Sequence, residues 1–240
     1  MRFDSLPIEG AWVFTPRIHG DDRGSFLEWF KDPVFRSAVG HRLDLVQANC
    51  SVSAKGVVRG IHFADVPPGQ AKYVTCVKGA VLDVVVDLRV GSPTFGRWAS
   101  VLLDDRERRA VYLSEGLGHG FCAQQDGSTV VYLCSQGYAP KREHEVHPLD
   151  PAIGIDWQLA GAQPELSAKD AAAPALAEAL AAGRLPEYAD CLAHRAGLGA
   201  WTSSARPTHR PCATTLAPLR FWGGYATRSV RMVMNGTNHA

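Results

Sequence analysis

A sandwich or jelly-roll barrel of many short strands is the fold class that the sequence predicts, on three observations. Short runs alternate between two faces with period two, as strands do. Clusters of Gly, Pro, Asp and Ser punctuate them at close intervals. Helical patterns are few and peripheral, unlike the regular strand–helix alternation of a parallel α/β sheet.

The elements follow in order. Asp32–Val39 reads as a short helix. Tyr73–Val77 reads as a strand, and so does Val81–Leu88. In the latter Leu82, Val84, Val86 and Leu88 form an apolar face, opposite Val81, Asp83, Val85 and Asp87. Trp98–Leu103, Ala110–Leu113 and Thr129–Leu133 repeat the pattern. Val66–Gln70 (VPPGQ), Gly91–Thr94 (GSPT) and Asp126–Ser128 (DGS) supply turns. A second helix is expected over Pro174–Ala182, with proline early and Gly183 as its stop. Beyond it the run WTSSARPTHRPCATT lacks any period. The chain therefore divides into a β-barrel body with a helical end, 1–190, and a tail, 191–240, expected to be poorly ordered.

Length and composition suit one soluble domain with an appendage. The 240 residues are 46% apolar and 20% charged, ordinary for a globular protein. A net charge of +1 gives no reason to expect nucleic acid or a membrane as partner. Residues 191–240 hold six arginines and no Asp, Glu or Lys, leaving 19 basic against 24 acidic residues in the body. An anionic ligand on such a body needs positive charge concentrated locally. None of the six cysteines (50, 76, 122, 134, 191, 212) belongs to a C-x-x-C pair, and four fall in expected strands as small buried hydrophobes. The N-terminus lacks a signal-peptide layout, and no apolar run approaches the roughly 20 residues of a membrane span. A reducing, cytoplasmic location is expected.

The most informative stretch is Val58–Val74, which places Arg59, His62 and Lys72 close together. Alone, a histidine beside a strand glycine is more often structural, and a lone lysine is a solvated one. A second cluster raises their meaning: Gly116–Phe121 (GLGHGF), Tyr132 with Tyr138, Glu143, and Lys169–Asp170. Simple alternation would send Arg59 and His62 to opposite faces. Gly60 between them allows a bulge, so an irregularity is expected there.

Such a set has a chemistry. A histidine of pKa about 6.5 accepts a proton near neutrality, better with a carboxylate such as Asp170 behind it. A tyrosine opposite returns a proton to the other face of the carbon. A lysine beside a carbonyl oxygen stabilises the enolate formed in between. Together they describe inversion at a carbon next to a ketone.

The stretches DDRGSFLEWF (21–30), VQANCSVSAKGVVRGIHF (46–63), QAKYVTCVKG (70–79), DLRVGSPTFGRW (87–98), EGLGHGF (115–121), YAPKREH (138–144) and LSAKDAAAP (166–174) closely resemble the dTDP-4-dehydrorhamnose 3,5-epimerase family, in one register to about residue 192. The resemblance implies a double-stranded β-helix (cupin-type jelly roll) working as a homodimer. It implies cofactor-free epimerisation at C3 and C5 of dTDP-4-dehydro-6-deoxy-D-glucose. His62 matches the base, Asp170 its partner, Tyr132 the acid, and Lys72 the residue near the keto oxygen. Arg59 and Arg23 match contacts to the diphosphate and nucleotide, with Phe26 and Glu28 in the same nucleotide region. Gln47, Ala48 and Asn49 match a substrate-lining segment, and His119, Glu143 and Lys169 further substrate positions. The Arg23–Glu28 segment is expected to serve the partner subunit's site.

One departure stands out: Gln136-Gly137-Tyr138 replaces the two adjacent tyrosines of many members, leaving inversion at one centre as an alternative. A non-catalytic nucleotide-sugar binder would need the arginines but not base, acid and lysine together. No metal site is expected. His62 is followed by Phe63 and Ala64 rather than by a second histidine one residue on, and His144 and His147 are expected to be solvated.

Overall fold

The computed structural model describes residues 1–199. The chain opens with β1 (Arg2–Ser5), β2 (Ala11–Thr15), β3 (Ile18–Asp21), β4 (Gly24–Leu27) and α1 (Asp32–Val39). The middle consists of β5 (Gln47–Ser53), β6 (Val58–Ala64), β7 (Lys72–Lys78), β8 (Ala80–Asp87), β9 (Trp98–Asp104) and β10 (Ala110–Leu113). It ends with β11 (Leu117–Ala123), β12 (Ser128–Cys134), β13 (Glu143–Glu145), α2 (Ala168–Ala171), α3 (Leu176–Ala181) and α4 (Tyr188–Gly199).

Two antiparallel sheets face each other as a jelly roll. One runs β1-β2-β10-β7-β12-β5, the other β13-β6-β11-β8-β9; β3 and β4 form a separate ribbon. The core between the sheets takes Val74, Val111 and Val130 from the first and Val85, Leu103 and Phe121 from the second. The outer face of the first sheet is covered by α1, where Phe35 stacks on Phe14 and meets Tyr112 edge-on.

The strand expected at Val81–Leu88 is β8, and both of its faces are buried. Its clean apolar face does not look into the barrel. Leu82, Val84, Val86 and Leu88 point outward, against Trp157, Leu176 and their neighbours from the C-terminal segment. The inward face carries the two aspartates. Asp87 is satisfied by Arg89 (2.8 Å to each carboxylate oxygen), Ser92 (2.5 Å) and Thr94 (2.6 Å). The GSPT turn is thus a set of donors for a buried carboxylate, as a buried charge requires.

The first helix matches its expected bounds and ends at Gly40, whose φ of 93° and N–H bond to the Arg36 carbonyl close the last turn. The second expected helix is shorter, Leu176–Ala181, because Pro174 lies before it and the Glu178 carboxylate caps the Ala175 N–H. The domain boundary expected at 190/191 falls inside α4, a correction. Cys191 is buried there, Arg89 lies 5.0 Å from the Tyr188 ring, and Tyr188 and Arg195 both bond Glu9. Arginine composition hid that helix. Residues 200–240 of the expected tail, with Cys212, lie outside the described residues. No described helix is long and apolar enough to cross a membrane.

Candidate active site

The expected irregularity at 59–62 is present and organises the site. Across β6 and β11, His62 pairs with His119 and Arg59 with Phe121, so β6 spends one more residue than its partner. Arg59 and His62 therefore share a face, the one on which Phe121 enters the inter-sheet core. Glycine is required at the bulge. Gly60 has φ of 131°, and a methyl there would lie 2.6 Å from Gly120 Cα.

From this wall His62 presents a ring that is 36% exposed, while its Nε2 lies 2.7 Å from the buried Asp170 Oδ1. A carboxylate only accepts, so the proton sits on Nε2 and the Nδ1 lone pair is left to act as base. Asp170 is held in turn: Ser167 Oγ donates to its Oδ2 (2.9 Å), and the nearby Gly60 backbone adds a smaller pull toward the ionised form. Burial raises the Asp170 carboxyl, but these donors, His62 foremost, outweigh it and hold the group below its ordinary value. The neighbouring His119 is buried, with Nε2 2.8 Å from Asp83 Oδ2.

The opposite wall comes from β7, β12 and β5. Lys72 pairs with Cys134, and Tyr132 with both Val74 and Asn49. Val74 belongs to the inter-sheet core and Tyr132 packs against it, so Tyr132 faces the His62 wall. Burial pushes the Lys72 ammonium below the usual lysine range, and Cys134, Glu143 and Asp83 offset only part of that. Burial pushes the Tyr132 phenol up, helped by Cys134, while Arg59 and an Asn49 hydrogen bond pull the other way. A phenol so placed stays protonated near neutrality, as a proton donor must. Gln47 donates to Asn49 (2.8 Å), and Arg59 Nε to Ser53 Oγ (3.1 Å). On β13, Glu143 accepts from the Ala139 N–H (3.0 Å), and Lys169 pairs with Glu145, directly opposite His62.

Other expected positions lie elsewhere. Ala48 is exposed on the outer face of β5, paired with Leu133. Tyr138 is 63% exposed, and only its backbone N–H reaches the site, through Gln47 Oε1 (2.9 Å). Arg23, Phe26 and Glu28 stand on the exposed ribbon and just after it: Arg23 engages Asp21, Glu28 engages Lys31, and Phe26 is 67% exposed. His144 and His147 are half-buried rather than solvated; His144 bonds Asp65 (2.7 Å), and His147 accepts from the Leu149 N–H (3.1 Å). Of the four strand cysteines, Cys50 is exposed on an edge strand and the other three are buried. Among the described residues no group of three or more His, Cys, Asp or Glu could hold a metal.

Three residues escaped the sequence reading. Asp83 showed itself as a polar interruption in an apolar strand, a sign that a partner faces it. Ser167 stands three residues before Asp170, the spacing of a helix cap that bonds its own first turn. Glu145 gave no signal at all.

A family model described as dTDP-4-dehydrorhamnose 3,5-epimerase matches residues 5–178. A dTDP-4-dehydrorhamnose 3,5-epimerase of Mycolicibacterium smegmatis is 63% identical over 190 residues, 78% of this chain and 92% of that protein. The solved structure of the rmlC epimerase of Mycobacterium tuberculosis superposes with a TM-score of 0.81 at 56% identity, covering 82% of this chain and all of the other. ChmJ, a 3'-monoepimerase from Streptomyces bikiniensis solved with dTDP-quinovose, superposes at 0.79 with 51% identity, over 82% and 98% of the two chains. By fold, by the spacing of its motifs and by these likenesses, the chain belongs to the dTDP-4-dehydrorhamnose 3,5-epimerase family.

Proposed function

We propose that this protein inverts C3 and C5 of dTDP-4-dehydro-6-deoxy-D-glucose, giving dTDP-4-dehydro-L-rhamnose, with its own side chains as the only acid and base. The observation that carries the reading is the pairing of a carboxylate-held imidazole on one sheet with a protonated phenol on the facing sheet. The 4-keto group acidifies both neighbouring C–H bonds. His62 removes a proton, the electron pair moves onto the keto oxygen as an enolate, and Lys72 stabilises that charge. Tyr132 then protonates the carbon from the other face. Between inversions the imidazolium releases its proton to solvent and the phenolate takes one up, so that one base and one acid serve both centres in turn, each contributing roughly 10²–10⁴ in rate.

Arg59, at the rim of the same wall, suits the diphosphate, whose oxygens a guanidinium fork matches. The exposed ribbon with Arg23, Phe26 and Glu28 supports a homodimer in which this segment reaches the partner's nucleotide. The free thiols of the barrel support a cytoplasmic location.

Incubation with the 4-keto sugar nucleotide in deuterated water tests the reading. Label is expected at both C3 and C5, and a coupled reductase followed by NMR should give the L-rhamno product. Label at one centre alone would reduce the activity to single inversion. None at either would leave a binding protein.

A further inference from the structure

We propose that Ser167 is a positioning residue of the base: its hydroxyl locks the rotamer of Asp170 and thereby the tautomer of His62. The proposal rests on the reading of His62 as base. Ser167 caps α2, its Oγ accepting the Asp170 N–H at 3.0 Å while donating to Asp170 Oδ2 at 2.9 Å. Both bonds join the same two residues, so the carboxylate is fixed from its backbone and from one oxygen. The other oxygen, Oδ1, is then aimed at His62 Nε2, 2.7 Å away.

The geometry gives the hydroxyl a task beyond capping. Asp170 is the third residue of the four-residue helix α2, which Ser167 caps. With Ser167 reduced to a methyl, Oδ2 loses its side-chain donor and the carboxylate can rotate. His62 then samples the tautomer with the proton on Nδ1, the nitrogen that must be bare to accept one from carbon. The lost hydroxyl acts through Asp170 and never touches the sugar, so turnover should suffer and binding should not.

Ser167→Ala, Ser167→Gly and Ser167→Thr, each in the full chain, separate the two roles. Glycine is nearly as good a helix cap as serine but cannot donate, and threonine keeps the donor. The readouts are kcat and KM for deuterium exchange, and the ring ¹⁵N shifts of His62 in the free protein. Ser167→Ala and Ser167→Gly are expected to lose about 10-fold in kcat, a fraction of what a missing base costs, with KM within about twofold. Their His62 shifts should move from the Nε2–H tautomer toward a mixture, and Ser167→Thr should restore both signals. If Ala fails to fold, the Gly variant carries the comparison. Wild-type kcat and tautomer in the Gly variant overturn the proposal, as does a loss that threonine cannot restore. Absence of exchange in the wild type sinks the function instead, and the NMR signature then still decides whether Ser167 sets the tautomer.

Discussion

His62 and His119 face each other directly across β6 and β11, each tethered by Nε2 to its own buried aspartate. The two dyads differ in access. The His62 side chain is 36% exposed and that of His119 only 8%. One imidazole can meet a substrate carbon; the other is a fixed element of the pocket wall.

Substitution should separate them. His62→Ala is expected to lower exchange by roughly 10²–10⁴ and leave dTDP binding nearly intact. His119→Ala strands Asp83, whose Oδ1 already has no partner among the described residues. It should cost about 1–3 kcal/mol in urea unfolding as well as raise KM. Equal losses of kcat with no change in stability would refute the division of labour.

Acid should expose the Asp170 contribution. Its folded-state pKa is depressed, so the stabilisation is present above the unfolded value of about 3.9 and is lost as pH falls through the lower, folded value. Asp170→Asn has no such dependence. The stability gap between wild type and Asp170→Asn should therefore hold steady at neutral pH and shrink as pH falls below about 4 in denaturant titrations. A gap independent of pH would contradict the linkage.

Much of this was legible in the sequence because period-two alternation and glycine placement are local signals. The strands β7, β8, β9, β10 and β12, the helix α1 and the bulge at Gly60 follow from them. Which face of β8 looks inward was not legible: a buried polar face and an apolar face covered by a later segment read the same in one dimension. The His119–Asp83 bond spans 36 positions and could not be read without knowing where each strand packs, whereas the Ser167–Asp170 clip spans three and has the spacing of a helix cap. The likeness in motifs supplied His62, Asp170, Tyr132 and Lys72. It did not supply the Ser167 hydroxyl that holds Asp170 or the Asp83 carboxylate that holds His119.

Lys72 trades stability for chemistry. Burial disfavours its charge, so Lys72→Met, of similar volume and no charge, should raise stability by about 1 kcal/mol while lowering exchange roughly 10²–10³-fold. The depressed lysine costs the fold stability wherever it is protonated. That cost fades as pH rises through its folded value, so wild type should approach the methionine variant in alkali. The same shift assigns the alkaline limb of activity. Burial moves Lys72 down and Tyr132 up, directions that favour the lysine as the group titrating on that limb. Lys72→Arg should push that limb to higher pH in a kcat profile; an unmoved limb would return it to Tyr132.

The glycines of the His62 wall predict a graded series. A methyl at Gly118 would lie 2.6 Å from Ile61 Cγ2 and 2.7 Å from Leu88 Cδ1, both side-chain and not backbone atoms. Gly118→Ala should therefore cost about 1–3 kcal/mol by overpacking, with exchange per folded molecule retained. At Gly60 the obstacles are backbone: Gly120 Cα at 2.6 Å and the His119 carbonyl oxygen at 2.8 Å, on a φ of 131° that alanine avoids. Side-chain rotation cannot relieve either contact. Relief requires β6 to leave β11, which dissolves the bulge that puts Arg59 and His62 on one face. Gly60→Ala should thus lose stability and exchange together, and whatever folded fraction remains should bind dTDP weakly because Arg59 is displaced as well. Retained exchange in Gly60→Ala would mean that the bulge is not what aims the base.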